Sequence, residues 1–278
     1  MSRVKELGQY PTPLWAAEAL VESFFPNLGA GHKILEPSCG PGAFLAAVPP
    51  SVEAIGVDID PVMARRAQQN TGRRVLVGDF CTIELDVEPT HILGNPPFNL
   101  KLIDSFLDRA HDLLPQGGQA GFILPAYAFQ TAARVAGYAD RWALSQSMIP
   151  RNLFPGLSLP LVFATFAKDR RRTMIGFALY RETAAVQKLP VAYRDILGTQ
   201  GGPVWPRVIR HALARLGGEA ELQEIYREME GNRPTKTPFW REQIRKVIRT
   251  PACGCAPVGR GRYALLDAAN DPSRALAA

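Results

Sequence analysis

The sequence predicts an α/β fold, an open sheet with helices between its strands, followed by a small module of short helices and a hairpin. Three observations carry this. Apolar runs of strand length alternate with helical patterns through roughly the first 170 residues. One such strand opens through a glycine-rich turn into a helix, in HKILEPSCGPGAFLAAV. Successive strands then run out at Glu36, Asp58, Asp79 and Asn95, and open α/β sheets bind ligands at the carboxyl edge of their strands.

Residues 10–24, YPTPLWAAEALVESF, predict a first helix. Thr12 is placed to cap it with Pro13 at its first position, and Leu14, Ala17, Leu20, Val21 and Phe24 form its apolar face. Ile34-Leu35 is a short buried strand ending at Glu36. Gly40 and Gly42 let the backbone approach a ligand, and Ala43–Ala47 begins a helix whose N-terminus suits a nucleotide-like molecule. The glycines depart from the dinucleotide fingerprint, because Leu45 stands where its third glycine belongs, and no Gly-Lys-Ser/Thr follows. A nucleoside without phosphates fits better than either. Ala54–Asp58 is the second strand, and an acid at its end can accept hydrogen bonds from both ribose hydroxyls. Asp60, before Pro61, is placed to cap the helix Val62–Asn70. The third strand, Arg74–Gly78, runs into Asp79-Phe80, an acceptor and an aromatic face suited to an adenine amino group and ring.

His91–Gly94 is the fourth strand, and Asn95-Pro96-Pro97-Phe98 leaves it. Two prolines fix φ, remove two donors and hold the preceding residues extended, so the turn is stiff and its carbonyls are free to accept. The Asn95 side chain adds an acceptor oxygen and Phe98 a flat apolar face. Two acceptors beside an aromatic ring suit a planar ring carrying an exocyclic NH2 group. An ordinary Asn-Pro turn after a strand would use the same residues. Residues 101–114 then predict an amphipathic helix, Gln119–Leu124 a buried strand ending at Pro125, Leu161–Ala167 another strand, and Met174–Tyr180 a candidate last one.

Taken together, the motifs resemble the class I S-adenosylmethionine-dependent methyltransferases, specifically the amino-methyltransferases of DNA in the gamma motif order. Tyr10-Pro11-Thr12-Pro13, Glu36-Pro37-Ser38-Cys39-Gly40-Pro41-Gly42, Gly78-Asp79-Phe80 and Asn95-Pro96-Pro97-Phe98 follow in that order, over roughly residues 8–170. The resemblance implies a Rossmann-like methyltransferase domain over residues 1–180 and S-adenosyl-L-methionine as cofactor. By the same resemblance Tyr10, Thr12 and the loop of Glu36, Pro37, Ser38, Gly40 and Gly42 would hold its methionine portion. Asp58 would hold the ribose, Asp79 and Phe80 the adenine, and Asn95 would border the cofactor. Asn95, Pro96, Pro97 and Phe98 would be the catalytic set. The family's tetrapeptide more often ends in Tyr, so Phe98 loses a hydroxyl and keeps a stacking face. An aromatic near Asn152-Leu153-Phe154-Pro155 would stack on the far side of the target base, and Phe154 is the candidate.

Residues 181–203 read as a linker, ending in GTQGGP, and residues 204–278 as a separate module. Val204–Leu216 and Glu221–Met229 predict two helices. Thr237 is placed to cap a third, Pro238–Arg249, with Phe239, Ile244, Val247 and Ile248 facing inward. Trp240, Arg241, Gln243, Arg245, Lys246 and Arg249 fall outside, and Ala256–Leu266 predicts a hairpin carrying Arg260 and Arg262. This resembles a winged helix-turn-helix, whose third helix enters the major groove of double-stranded DNA. Residues 203–278 hold 13 Lys and Arg against 8 Asp and Glu, so five of the six net positive charges fall here and suggest a polyanion partner. A small dimerisation module with a solvated basic face is the alternative. Asp267–Ala278 reads as a frayed tail.

The four cysteines form no CxxC pair and lack a second pair near Cys253-Gly-Cys255, so neither zinc nor a disulfide framework is expected. No apolar signal core or membrane-length run is present, and the expectation is a reduced cytoplasmic protein without metal. The sequence reading is therefore a site-specific DNA N6-adenine methyltransferase, of the kind found in restriction-modification, acting on a flipped-out base. RNA adenine, DNA N4-cytosine, a protein glutamine amide, or a non-catalytic DNA-binding protein with this fold stand as alternatives.

Overall fold

The computed structural model describes residues 10–154, 156–198, 203–234 and 237–266. It divides into two compact units, 1–180 and 181–278.

In the first unit, helix α1 (Leu14–Phe24) precedes strand β1 (Lys33–Pro37), helix α2 (Ala43–Ala47), β2 (Glu53–Asp58), α3 (Pro61–Thr71), β3 (Arg74–Val77) and β4 (His91–Gly94). Helix α4 (Leu100–Leu113), β5 (Gln119–Pro125), α5 (Ala132–Arg141), β6 (Ala143–Ile149), β7 (Leu161–Ala167) and β8 (Met174–Ile175) follow. The strands form one sheet in the order β3-β2-β1-β4-β5-β7-β6-β8. Strands β3, β2, β1, β4 and β5 run parallel to one another, and β7 runs antiparallel to both β5 and β6.

Adjacent residues on the central strands enter opposite cores. Leu35, Ile55 and Ile92 join the cluster packed by Ile103, Phe106 and Leu107 of α4. Ile34, Ala54 and Leu93 join the one packed by Leu20 and Val21 of α1 and Phe44 and Leu45 of α2. A sheet covered on both faces demands continuous apolar runs, which is what these strands carry. Asp60 accepts a hydrogen bond from Val62 N–H at 2.8 Å and starts α3. Asn99 does the same for α4 through Lys101 and Leu102.

Two local expectations change. Thr12 does not cap α1: Pro13 is the N-cap and no side chain closes the helix end. The stretch 174–180 supplies, in place of a full strand, the two-residue β8 and the first residue of a helix at Tyr180. Helix α5 and strand β6 were not anticipated from the sequence; β6 is only partly buried and its apolar alternation is correspondingly weak.

The second unit is different from a linker followed by three helices. Helices α6 (Tyr180–Gln187) and α7 (Val191–Gly198) occupy most of the stretch expected to be a linker. Tyr193 of α7 is 1% exposed, meets His211 edge-on at 4.8 Å, and donates to Glu228 Oε1 at 2.8 Å. Tyr193, Ile196 and Leu197 have the i, i+3, i+4 spacing of a buried helical face. Residues 199–202 of the expected linker lie outside the described residues, as does the tail from 267.

Helix α8 (Val204–Arg215), β9 (Glu219–Glu221), α9 (Leu222–Glu230), α10 (Trp240–Val247), β10 (Cys255–Gly259) and β11 (Arg262–Leu265) complete the unit. Its strands form an antiparallel sheet in the order β10-β11-β9. Trp240, expected on the outside, is buried in the core at 7% exposure, and Phe239, expected inside, is 67% exposed. The helix begins at Trp240 with Phe239 as its N-cap. The inward face is therefore Trp240, Ile244, Val247 and Ile248, an i, i+4, i+7, i+8 set. Trp240 meets Tyr226 edge-on at 5.6 Å. Trp240→Ala is expected to destabilise this unit by about 3–5 kcal/mol, read as a loss in its thermal transition; a surface tryptophan would leave the transition unmoved.

Candidate active site

A cavity of about 820 Å³ opens where β1, β2 and β4 end. Of the residues singled out in the sequence, Tyr10, Thr12, Glu36, Ser38, Gly40, Asp58, Asn95, Pro97 and Phe98 line it. Pro37, Gly42, Asp79, Phe80, Pro96 and Phe154 do not appear among its walls.

The turn after β1 is held by its own acids. Glu36 is 3% exposed; its Oε2 accepts from Leu45 N–H at 2.7 Å and its Oε1 from Phe44 N–H at 3.4 Å. The carboxyl is thus spent first on the N-terminus of α2, where helical N–H groups lack partners. Burial pushes its pKa up from 4.5 to about 8, and the nearby Asp58 adds to the rise. Asp58 accepts from Gly40 N–H at 2.7 Å through Oδ2 and from Asp60 N–H at 2.8 Å through Oδ1. Burial raises its pKa as well. Gly40 sits at φ +52°, and a Cβ added there would meet nothing within 4 Å, so the backbone is bare toward the open space. Ser38 holds φ +54° beside it, uncommon for a residue with a side chain.

The turn after β4 is ordered by Asn95. Its Nδ2 donates to the Tyr10 carbonyl at 2.9 Å and to Thr12 Oγ1 at 3.3 Å. A carbonyl can only accept, so the amide nitrogen must face Tyr10 and the amide oxygen must face away. That oxygen, Oδ1, is buried and has no hydrogen-bond partner among the described residues. Native proteins rarely leave a buried acceptor unpaired, and here it belongs to a residue on the cavity wall. The hydroxyl of Thr12, expected to cap a helix, instead helps fix this amide.

The aromatic groups sort differently from the sequence reading. The Phe98 ring lies parallel to Tyr10, 15° apart with centroids at 5.8 Å. The Tyr127 hydroxyl donates to the Phe98 carbonyl and anchors the turn from behind. Phe154 is 2% exposed and packs edge-on against Tyr10 at 6.4 Å, so it is a core residue and presents no face to a base. Phe80 is likewise 2% exposed and packs on Phe106 at 4.8 Å. Its ring belongs to the core and leaves no face for an adenine. Asp79 is exposed and accepts from Cys81 N–H at 2.9 Å, shaping the turn after β3.

Sequence reading missed Ile59 and Leu102, which give the cavity apolar walls. Ile59 is 63% exposed directly after Asp58, and an apolar residue placed outward after a strand-end acid is the signal that could have found it.

In the second unit, Arg241, Arg245, Lys246 and Arg249 are exposed on or just after α10, and Gln243 is partly buried. The Arg241 guanidinium lies over Trp240 at 5.1 Å, and Arg245 is 3.8 Å from Glu242. Arg260 is exposed at the hairpin turn. Arg262 pairs with Glu219 at 2.6 Å, so much of its charge is answered within the unit.

No family model matches the chain. Over 68 residues, 23% of this chain and 18% of the relative, it is 40% identical to the type II methyltransferase M.CvrRI of Paramecium bursaria Chlorella virus XZ-6E. Over 142 residues, 48% of this chain and 44% of the relative, it is 35% identical to the ribosomal protein L11 methyltransferase of Burkholderia multivorans. The chain thus spans less than half the length of either. Among solved structures, the M protein of the type I restriction enzyme EcoKI superposes with a TM-score of 0.50 at 15% identity, covering 58% of this chain and 44% of that one. The first unit carries the class I methyltransferase fold. S-adenosylmethionine is the methyl donor that this fold and these relatives imply. Among the described residues no helix is long and apolar enough to cross a membrane.

Proposed function

We propose that the chain is a site-specific DNA N6-adenine methyltransferase, with the second unit, residues 204–278 in particular, as a winged-helix-like DNA-recognition module. The observation that carries the reading is the buried Oδ1 of Asn95 on the cavity wall, which has no partner among the described residues. An acceptor locked in place by its own amide hydrogens suits a substrate that brings an N–H donor. In this reading Asn95 Oδ1 accepts one hydrogen of an adenine amino group, and the carbonyl of Pro96, which is buried and does not line the cavity in this structure, accepts the other once the base enters. That localises a nitrogen lone pair otherwise delocalised into the ring and aims it for in-line transfer. Phe98 supplies the stacking face, and Tyr10, which covers Phe98 in this structure, replaces Phe154 as the second aromatic.

The site residues fit the implied cofactor. The Glu36–Gly42 turn and Thr12 would hold its methionine portion, Asp58 its ribose, and Ile59 with Leu102 its base. Bound there, S-adenosylmethionine supplies the electrophilic methyl group. Asp79 stands only as an edge contact to the adenine, and Phe80 drops out.

The basic face of α10 and the element order of the second unit, helix–strand–helix–helix–strand–strand from α8 to β11, support the DNA reading. So does the relative M.CvrRI, named as a type II methyltransferase. The test is incubation with methyl-labelled S-adenosylmethionine and mixed-sequence duplex DNA, followed by nucleoside analysis. Label in N6-methyladenine is expected. Label in N4-methylcytosine would keep the site and change the base, and label only in RNA or protein would overturn the DNA assignment.

Glu36 sets a pH dependence. Its folded pKa, about 8, lies above its ordinary 4.5. The native state therefore binds more protons than the unfolded chain between those values. Stability from this group is fully present below 4.5 and is lost as pH rises through about 8. Thermal unfolding of the cofactor-free chain is expected to show that decline, and Glu36→Gln to flatten it. A cationic ammonium placed beside Glu36 favours its ionised form. Cofactor binding below pH 8 is accordingly expected to release a proton, seen by calorimetry in buffers of different ionisation enthalpy.

A further inference from the structure

The second unit carries a pair of thiols that the methyltransferase reading does not use. Cys253 ends the short 3₁₀ turn Pro251–Cys253, and Cys255 opens β10, paired across from Leu265. Their Sγ atoms are 3.4 Å apart. Gly254 joins them at φ +60°, a conformation that favours glycine, and a Cβ there would meet the end of the Arg210 side chain from α8, which would have to shift. Cys253 is fully buried, whereas Cys255 is partly exposed.

We propose that Cys253 and Cys255 form a redox-active dithiol that closes to a disulfide on meeting a small-molecule disulfide, with Cys255 attacking and Cys253 resolving. The geometry assigns the roles. Of the pair only Cys255 can be reached from solvent; the Cys253 thiol at 3.4 Å and the Arg210 guanidinium favour its thiolate, against the hydrogen bond that its S–H donates to the Cys253 carbonyl at 3.4 Å. Its pKa is accordingly lowered by the hydrogen bond from Cys253 and by Arg210, against burial. That of Cys253 is raised. The other partly exposed thiol, Cys81, is pushed up to about 11 by burial and the Asp79 carboxylate beside it, and Cys39 is buried. The unit thus distinguishes one cysteine of four.

The chemistry balances as two exchanges. The Cys255 thiolate attacks one sulfur of the small disulfide, forming a mixed disulfide as the small S–S bond breaks and one thiolate leaves. The Cys253 thiol then gives its proton to that released thiolate and attacks the Cys255 sulfur, expelling the second small thiolate. The protein loses two electrons and the small disulfide gains them. Closure needs the sulfurs to approach from 3.4 Å to bonding distance across a single glycine.

The test treats the full chain with glutathione and glutathione disulfide in buffers of graded potential, then quenches, alkylates and maps peptides by mass. The expected product is a 253–255 peptide lighter by two hydrogens, with Cys39 and Cys81 still free. Cys253→Ser is expected to trap a stable glutathione adduct on Cys255. Arg210→Gln is expected to lower the alkylation rate of Cys255 at pH 7 several-fold and to move its pH profile upward. Preferential modification of Cys81, or a lasting adduct on Cys255 in the unsubstituted chain without ring closure, would overturn the proposal.

Discussion

Asn95→Ala is expected to lower kcat for methyl transfer by roughly 10³-fold, the cost of losing one preorganised hydrogen-bonding partner at a reacting group. The expectation rests on an asymmetry within one side chain. Its nitrogen is fully engaged by the Tyr10 carbonyl and Thr12 Oγ1, and its oxygen has no partner among the described residues. The variant deletes both. Loss of the oxygen falls on the reaction, and loss of the nitrogen falls on the segment at 10–12 that helps wall the cofactor cavity. Two ordinary hydrogen bonds are worth about 1 kcal/mol each, so cofactor binding is expected to weaken by tenfold or somewhat more while turnover falls much further. Asn95→Asp separates the two effects. It keeps acceptor oxygens but turns a carboxylate toward the Tyr10 carbonyl, and it is expected to lose cofactor affinity more severely than the alanine variant. Turnover near the unsubstituted level in Asn95→Ala, measured with a folded protein, would end the acceptor mechanism.

What could be read from the sequence was what local chemistry decides. The strand–turn–helix around Gly40, the acid at Asp58, the cap at Asp60 and the stiff exit at Asn95 each depend on a few neighbours, and each lies where the pattern put it. Aromatic residues were another matter. Phe80, Phe154 and Trp240 all stand beside motif residues, and all three are turned into a core. Nothing local separates a ring that stacks on a ligand from one that stacks on Phe106 or Tyr226; only the packing of distant segments does. Ile59 is the converse, an apolar residue exposed on the cavity wall that a hydrophobicity argument assigns to the core. Thr12 had two uses open to it, a helix cap or a partner for a side chain 83 positions away, and sequence favours the nearer. Helices α6 and α7 were missed because each is eight residues long and α7 leads into a glycine-rich stretch, which masks a short apolar face anchored by Tyr193.

Arg245→Ala combined with Lys246→Ala is expected to weaken binding to duplex DNA by roughly one to two orders of magnitude at low salt and to make the salt dependence shallower by about 2. These two side chains are chosen because both are exposed on α10 and neither is strongly answered: Arg245 reaches Glu242 only at 3.8 Å, itself an exposed pair. Three other cations of the module are less clean probes. Arg241 stacks on Trp240, Arg249 donates to the Tyr263 hydroxyl at 3.4 Å, and Arg262 pairs with Glu219. Removing any of those changes the module's own packing along with its charge. Arg245 and Lys246 are both exposed, so the thermal transition of the second unit is expected to stay in place while affinity falls. A phosphate contact loses affinity on every sequence alike, whereas a base contact relaxes preference at one position, and comparing specific with random duplexes separates the two. Unchanged affinity and an unchanged salt slope would remove α10 from the DNA interface. The basic excess of the last quarter of the chain would then be a solvated surface, and target choice would have to come from the methyltransferase unit itself.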